Sequence, residues 1–243
     1  MNSGIYTLTS ALMAQEQRVA STAQNLANVS SDGFKVVARS VEEARAPGAS
    51  SRSGDALAGA VNATVRLGAG AIDLTQGRIA PTHEPFDIAI DGPGFLAVQT
   101  PAGVAWTRSG HLKAMEGRLV TPDGYPVLGA AGPVRIGDGE ILIEADGTVK
   151  SGGNVAGRLR IEVFEPKQLS PLGGSLLRAS GPGKPAAGTR ILQGSIEEST
   201  VRPLEEITSL IESQRGFEMY QRALGITLNE VDRRAVNDLG SVS

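Results

Sequence analysis

The chain has 243 residues and a formal net charge of −3, and aromatic residues make up only 4% of it. A charge so close to neutral excludes the basic field with which proteins bind nucleic acid or anionic membranes. The lack of cysteine excludes disulfides and thiolate metal sites, and no run of residues approaches the roughly 18 apolar residues of a membrane span.

The first segment of the chain carries a helical repeat. Four aliphatic residues stand seven positions apart and a fifth occupies the companion position, which is typical of a coiled-coil seam. The predicted seam of this N-terminal helix consists of Ile5, Leu8, Leu12, Val19 and Leu26.

A turn ends this helix and leads the chain into a different kind of structure. Asp32-Gly33 is a turn-forming pair, and glycine suits the left-handed conformation that commonly terminates a helix. We therefore predict a geometric joint at this point, formed by Asn28, Asp32, Gly33 and Phe34.

The middle of the chain reads as β structure. Residues 45–60 are small, polar and turn-prone, and they are equally consistent with a functional loop and with a loop that has no role. From about Val65 to Gln193 the helical period is missing, and short apolar runs alternate with glycine, proline and aspartate. Asp-Gly pairs at 91–92, 123–124 and 146–147 stand where strands should end, so we predict an all-β domain rich in hairpins.

The last segment returns to helix. Pro203 suits a first helical turn, and Glu205 and Glu206 favour the positive end of the helix dipole. An apolar three-four spacing then continues for about four heptads. The predicted seam of this C-terminal helix includes Ile207, Leu210, Phe217, Leu224, Leu228 and Val231.

The order helix, β, helix predicts an α+β fold in which the N- and C-terminal helices pair as a coiled-coil-like helical domain beside a central all-β, hairpin-rich domain. The predicted domains are residues 1–35 with 196–243 for the helices, 36–84 for an extended linker and loop region, and 85–195 for the outer β domain. Apolar residues such as Leu204, Ile211, Met219 and Ile226 lie off the seam. They pack either on the β domain of the same chain or on other subunits, and the sequence leaves both readings open.

No motif for chemistry is evident in the sequence. His83 and His111 lack the spacing of a metal site and are better read as surface or packing residues. Neither a nucleophile elbow nor a phosphate-binding loop occurs. We therefore predict no catalytic, cofactor-binding or metal-binding residues and no enzyme activity.

Several segments, taken in order, resemble the rod and hook proteins of the bacterial flagellum. They are "NLANVSSDGFK" after the first helix, "FDIAIDGPGFLAVQTPAG", "WTRSGHLKAMEGRLVTPDGYPVLG" and "ILQGSIEESTVRPLEEITSLIESQRGFEMYQRAL". No one of these motifs decides the matter, but their combination in this order is highly specific. Within the family the resemblance is to the basal-body rod proteins, and there to a protein of the proximal rod.

The resemblance implies a structural subunit of the proximal rod, or drive shaft, that assembles itself through its terminal helices and transmits torque. It implies as partners other copies of the chain, the proximal and distal rod proteins, the surrounding ring or bushing and the flagellar type III export apparatus, with no nucleic acid and no membrane span. It places the protein in the basal body, in a rod crossing the periplasm, after export without a cleaved signal peptide. The alternatives are the distal-rod protein of the same family and a secreted β-domain binding protein with coiled-coil termini.

Overall fold

The computed structural model of the chain describes residues 2–38, 41–45, 63–67 and 71–240. In these ranges a β-rich region stands between helix α1 (Asn2–Ala27) and helix α2 (Pro203–Gly240). The predicted loop at 45–60 lies, apart from Arg45, outside the described residues. The chain divides into two compact units. The helical unit comprises Met1–Gln24, Arg39–Gly70 and Pro203–Ser243, and the β body comprises Asn25–Ala38 and Ala71–Arg202.

Antiparallel pairing builds every sheet in the described part of the chain. The largest sheet has six strands in the order β17-β18-β8-β7-β16-β19. Its strands in that order are Leu169–Gly173, Leu176–Ala179, Gly103–Thr107, Phe95–Thr100, Ile161–Val163 and Lys184–Pro185. A three-stranded sheet joins β13 (Ile141–Ile143), β14 (Thr148–Ser151) and β15 (Asn154–Arg158). A short 3₁₀ helix, Pro166–Gln168, precedes β17.

Shorter strand pairs complete the β structure. In the β body they are β1 with β4 (Val37–Ala38, Ala71–Ile72), β5 with β21 (Ile79–Pro81, Ser195–Glu197), β6 with β20 (Ile88–Asp91, Arg190–Gln193), β9 with β10 (Lys113–Met115, Arg118–Val120) and β11 with β12 (Leu128–Gly129, Gly132–Pro133). In the helical unit, β2 (Val41–Arg45) pairs with β3 (Ala63–Leu67). The glycines of the three Asp-Gly pairs, at 92, 124 and 147, all have positive φ, so the turns predicted there are confirmed.

Strand β7 organises the core of the β body because both of its faces are buried. Leu96 and Val98 point into the larger of two apolar clusters, whereas Phe95 and Ala97 point into the other. Alternating side chains leave a strand on opposite faces, so β7 divides the two clusters. The larger cluster is aliphatic and consists of Ile88, Ile90, Leu96, Val98, Ala105, Leu112, Leu119, Val127, Val134, Ile136, Ile141, Ile143, Val149, Leu159 and Ile191.

The second cluster holds several of the chain's few aromatic residues. The rings of Trp106 and Phe164 meet edge to face with their centroids 4.6 Å apart, and Phe95 lies beside Phe164. Edge-to-face contacts stabilise aromatic pairs beyond the area they bury. A chain with so low an aromatic content thus gathers these large side chains on one side of β7.

The predicted α+β fold with coiled-coil pairing of the terminal helices is wrong. A coiled coil inserts the seam side chains of each helix between those of its partner. In the structure Ile207 and Leu228 of the α2 seam remain 42% and 45% exposed. The described residues therefore show terminal helices and a β-rich body, without a coiled coil.

Small and polar groups form one contact between α1 and α2. The Nε2 of Gln15 donates a hydrogen bond of 2.8 Å to the carbonyl of Ser213. One turn further along α2, a Cβ placed on Gly216 would lie 3.0 Å from the same Nε2 atom. The side chain of Gln15 thus lies against Gly216, where a larger residue would press on it, and this point of contact lies off the predicted apolar seam.

Replacing Leu119 with alanine tests the aliphatic core. Leu119 is fully buried, and removing its side chain should destabilise the β body by about 3 kcal/mol through lost burial and a residual cavity. For a unit of this size, the melting temperature should fall by roughly 10 °C. Leu142→Ala is the matched control, because Leu142 is 50% exposed and should shift the melting temperature little. Equal shifts in calorimetry would contradict the assigned core.

Candidate assembly surfaces and the joint beside α1

The predicted seam residues remain partly accessible on both helices. On α1 the half-buried ones are Leu8, Leu12, Val19 and Leu26, and on α2 they are Leu210, Phe217 and Leu224. Ile207 and Leu228 are exposed, and the side chains of Ile5 and Val231 lie outside the described set. The structure thus leaves Ile207 and Leu228 of the α2 seam exposed and the other described seam residues half-buried.

The buried face of α1 is made of small and polar residues. Ala11, Ala14, Ser21, Thr22 and Asn25 are its buried side chains among those described. At 3.6 residues per turn this face is rotated by roughly a third of a turn from the predicted seam. Burial on α1 therefore follows side-chain size more than hydrophobicity, and the larger aliphatic residues stay at the margin.

A second apolar surface runs along the outside of α2. Leu204 is 80% exposed, Ile226 is 71% exposed, and Ile211 and Met219 are exposed between them. These are the residues whose partner the sequence left open. Spacings of seven or eight residues put them on one side of the helix, opposite the buried Ser213. Helix α2 consequently presents apolar side chains on more than one face.

The joint that follows α1 is a succession of tight turns. The N–H of Ser31 donates to the carbonyl of Asn28, and the N–H of Phe34 donates to the carbonyl of Ser31, each at 3.1 Å. Gly33 takes the left-handed conformation expected of it, with φ +65°, and Phe34 is buried. The joint therefore turns the chain from helix into the β body within a few residues.

Asn25 fastens the last turn of α1 to the first strand. Its Nδ2 donates to the carbonyl of Val37 at 3.3 Å, and its Oδ1 accepts from the N–H of Val37 at 3.2 Å. The side-chain amide thus pairs with a backbone in the manner of a neighbouring strand. Asn25 is 3% exposed, so these bonds satisfy a polar group that would be costly to bury alone.

A buried carboxylate lies next to the joint. The side chain of Glu197 is fully buried; its Oε1 lies 2.6 Å from Lys35 Nζ and its Oε2 lies 2.8 Å from Arg108 Nη1. We call these three residues the Glu197 network. Its members come from the segment after the joint, the segment after β8 and strand β21, which are distant in sequence. Sequence reasoning missed all three, because a single charged residue gives no sign in the sequence of the residue it will pair with.

Backbone groups extend the Glu197 network, in which the buried Nε of Arg108 has no hydrogen-bond partner among the described residues. Glu197 Oε1 also accepts from the N–H of Gly77 at 2.8 Å, and Lys35 Nζ donates to the carbonyl of Thr75. Arg108 Nη2 donates to the carbonyl of Gly92 at 2.7 Å, and its guanidinium lies 5.3 Å from the ring centre of Phe95. Two cations face one carboxylate, and these carbonyls and the ring offset the remaining positive charge.

Burial has opposite effects on two charged groups near the joint. It lowers the pKa of the Lys35 ammonium below its ordinary value, and the hydrogen bond to Glu197 opposes that shift. It raises the pKa of Asp32, where the charge of His111 acts in the opposite direction and those of Asp87 and Glu198 add to the rise. Both shifts mark the joint as a place where charges are held partly away from water.

His111 lies beside an acidic side chain. His111 Nδ1 lies 2.7 Å from Asp87 Oδ1, which is the contact of a paired packing residue. Across the described ranges, no group of three or more histidine, cysteine, aspartate or glutamate side chains could hold a metal ion. Neither α1 nor α2, as far as each is described, is long and apolar enough to cross a membrane.

Three family models match successive parts of the chain. The model described as flagella basal body rod protein matches residues 5–35, which hold α1 and the joint. The model of the flagellar hook protein FlgE/F/G D1 domain matches residues 89–151 of the β body. The model of the flagellar basal body rod FlgEFG protein C-terminal region matches residues 192–237, which include β21 and most of α2.

Curated relatives extend the similarity over the whole chain. The flagellar basal-body rod protein FlgF of Caulobacter vibrioides is 33% identical, and that of Salmonella typhimurium is 30% identical, with all of both chains covered in each case. The flagellar basal-body rod protein FlgG of Borreliella burgdorferi is 30% identical over 92% of this chain and 94% of its own.

A β body between two terminal helices, together with these matches, defines a protein of the flagellar rod-and-hook class. The chain belongs to the flagellar basal-body rod protein family, and its similarity to the FlgF rod proteins runs from end to end. It is a structural subunit of the rod, it belongs to the flagellar basal body and it assembles with other rod proteins there. The identification made from the sequence motifs is confirmed.

Removing the charge of Glu197 tests the buried network. Glu197→Gln would leave Lys35 and Arg108 buried without their carboxylate, so we expect a loss of about 3 kcal/mol in the free energy of unfolding, measured with urea. Glu198→Gln is the matched control, since the neighbouring side chain is half-buried and lies outside the network. Unfolding curves that are the same for the two variants would rule out a structural role for the network.

Adding one methyl group at Gly33 tests the joint. A Cβ there would lie 2.1 Å from the carbonyl carbon of Arg108, and the left-handed conformation adds about 1 kcal/mol for a residue other than glycine. Gly33→Ala should therefore lower both the melting temperature and the swimming of cells that carry it. Ser31→Ala changes the same turn without either penalty and should leave both near wild type. Wild-type swimming by the Gly33 variant would refute the joint.

Proposed function

We propose that this chain is a proximal-rod subunit that assembles through its terminal helices and transmits torque along the rod. The observation that carries the proposal is that α2 keeps apolar side chains exposed along its length, Leu204 and Ile226 above all. Burying apolar surface releases about 25 cal/mol per Å², so neighbouring subunits that cover these faces gain a continuous stabilising contact. A contact between unlike faces that does not close on itself produces a helical tube.

The seam residues are the proposed assembly positions, and the joint sets the path of the chain beside them. Half-buried Leu210, Phe217 and Leu224 have apolar surface that a neighbour can still cover. The turn at Gly33 and the Glu197 network hold the segment after α1 in one conformation, and a drive shaft needs such stiffness. For the assembled rod, the proposed domains are residues 1–35 and 196–243 as the inner wall, 36–84 as a linker and 85–195 as the outer β domain.

The family membership supports the finer placement of the protein. We propose that the rod it enters crosses the periplasm, that the chain travels through the flagellar type III export apparatus without a cleaved signal peptide, and that the surrounding ring is a further partner. The role is mechanical and involves no catalysis. The distal rod is the alternative position.

Two charges on the seam of α2 test the assembly role. Leu224→Asp with Leu228→Asp places carboxylates where neighbours are expected to bury the helix, which is strongly unfavourable without a partner charge. Rods should fail to form and cells should stop swimming, while the β body keeps its melting temperature. Asn229→Asp, at an exposed polar position about a quarter turn away from Leu228 on the same helix, should leave swimming intact.

The two measurements separate the alternatives that the sequence left open. A lower melting temperature of the β body in the Leu224 and Leu228 variant would mean that the seam packs on its own chain. Normal swimming by the same variant would contradict the assembly role of α2.

A further inference from the structure

A basic and apolar row of side chains lies on the surface of the β body. Met115 of β9 is directly opposite Arg118 of β10, and Arg118 is directly opposite Arg135 on its other side. Residues directly opposite in antiparallel strands share a face, so these three form one surface, which we call the hairpin patch. All three are exposed, Met115 to 42%.

The two arginines of the hairpin patch are an unfavourable pair as they stand. Like charges directly opposite each other across strands destabilise a sheet. Some other basic residues of the β body face carboxylates, as half-buried Lys150 does with Glu144 and exposed Arg190 does with Asp91. Among the described residues, Arg118 and Arg135 have no such partner. An anionic group from another molecule would remove this repulsion.

The start of α2 has the complementary character. Glu205 and Glu212 are exposed there, beside Leu204 and Ile211, which are 80% and 46% exposed. We call these four residues the helix-start surface. It combines acidic and apolar side chains over about two turns, just as the hairpin patch combines basic and apolar ones.

We infer that the hairpin patch of one copy binds the helix-start surface of a second copy. The carboxylates of Glu205 and Glu212 face Arg118 and Arg135, and Met115 covers apolar surface of the helix. Each copy has one surface of each kind, so the contact is heterologous and repeats from subunit to subunit. The inference rests on the proposed assembly of the rod, and it adds the contact that joins the β body of one subunit to the helix of the next.

Single cysteines test the contact directly, because the chain has none of its own. Cells without the native copy would express Met115→Cys and Ile211→Cys chains together, and isolated basal bodies would be oxidised under mild conditions. A cross-linked dimer is expected when both variants are present and not when either is present alone. Val104→Cys, at an exposed position on β8, replaces Met115→Cys as the control and should give no dimer with Ile211→Cys.

Two other outcomes of the cross-linking overturn the inference. A dimer formed by Met115→Cys chains alone would mean that patch meets patch. The lack of any dimer in rods that contain both variants in normal amounts would mean that the two surfaces do not meet.

Reversing the charges of the hairpin patch and of the helix-start surface tests which partner the hairpin patch binds. Arg118→Glu with Arg135→Glu should reduce incorporation into basal bodies roughly tenfold, because acidic surfaces then face each other. Glu205→Arg with Glu212→Arg should do the same, and the chain carrying all four changes should recover. Arg178→Glu with Lys184→Glu, at exposed positions of the six-stranded sheet, is the matched control.

If each double variant loses incorporation and the chain with all four changes does not recover it, the partner of the hairpin patch is not a second copy but a different protein. Normal incorporation of the Arg118→Glu, Arg135→Glu variant would show that the proposed contact does not exist. If the Leu224→Asp, Leu228→Asp variant nevertheless fails to form rods, the proposed assembly through the helices is retained and only this contact is rejected.

Discussion

The carboxylate of Glu197 binds together three segments that the chain brings from far apart. Lys35 follows the joint after α1, Arg108 follows a central strand, and Glu197 itself lies a few residues before α2. One buried group thus attaches both the segment after α1 and the segment before α2 to the β body. Buried ion pairs cost desolvation energy, which these groups recover by bonding to backbone carbonyls and to each other. Such a network makes the conformation of the joint specific.

Side-chain size explains how the helices keep apolar surface for other molecules. Where α1 and α2 touch, Gln15 bonds to the backbone at Ser213, and Gly216 leaves room for that approach. Bulky aliphatic residues at this point would hold the helices apart. Exposed aliphatic residues such as Leu204 and Ile226 lie on another face of α2, so this contact leaves apolar surface free for the assembly of a rod subunit.

The sequence allowed prediction of features that depend on neighbouring residues. The two terminal helices, the β character of the middle and the left-handed glycines follow from local periodicity and turn chemistry. Which face of each helix is buried within the chain was not predicted. A three-four pattern of aliphatic residues predicts that a face will be buried, but it does not say whether the same chain or another subunit covers it. The Glu197 network was missed for a related reason. A lysine at 35 and a glutamate at 197 give no sign in the sequence that the fold will place them 2.6 Å apart.

The distance along the chain between Lys35 and Glu197 also orders the events of folding. The two residues are separated by 162 positions. In a chain that is made from its N-terminus, the first helix and the joint are therefore present long before Glu197, to which Lys35 binds. Closing so long a loop is slow and late compared with forming the hairpins in between. The joint therefore acquires its final conformation only when nearly all of the protein is present. An incomplete chain lacks Glu197, so the joint that follows α1 cannot adopt the conformation it has in the complete subunit.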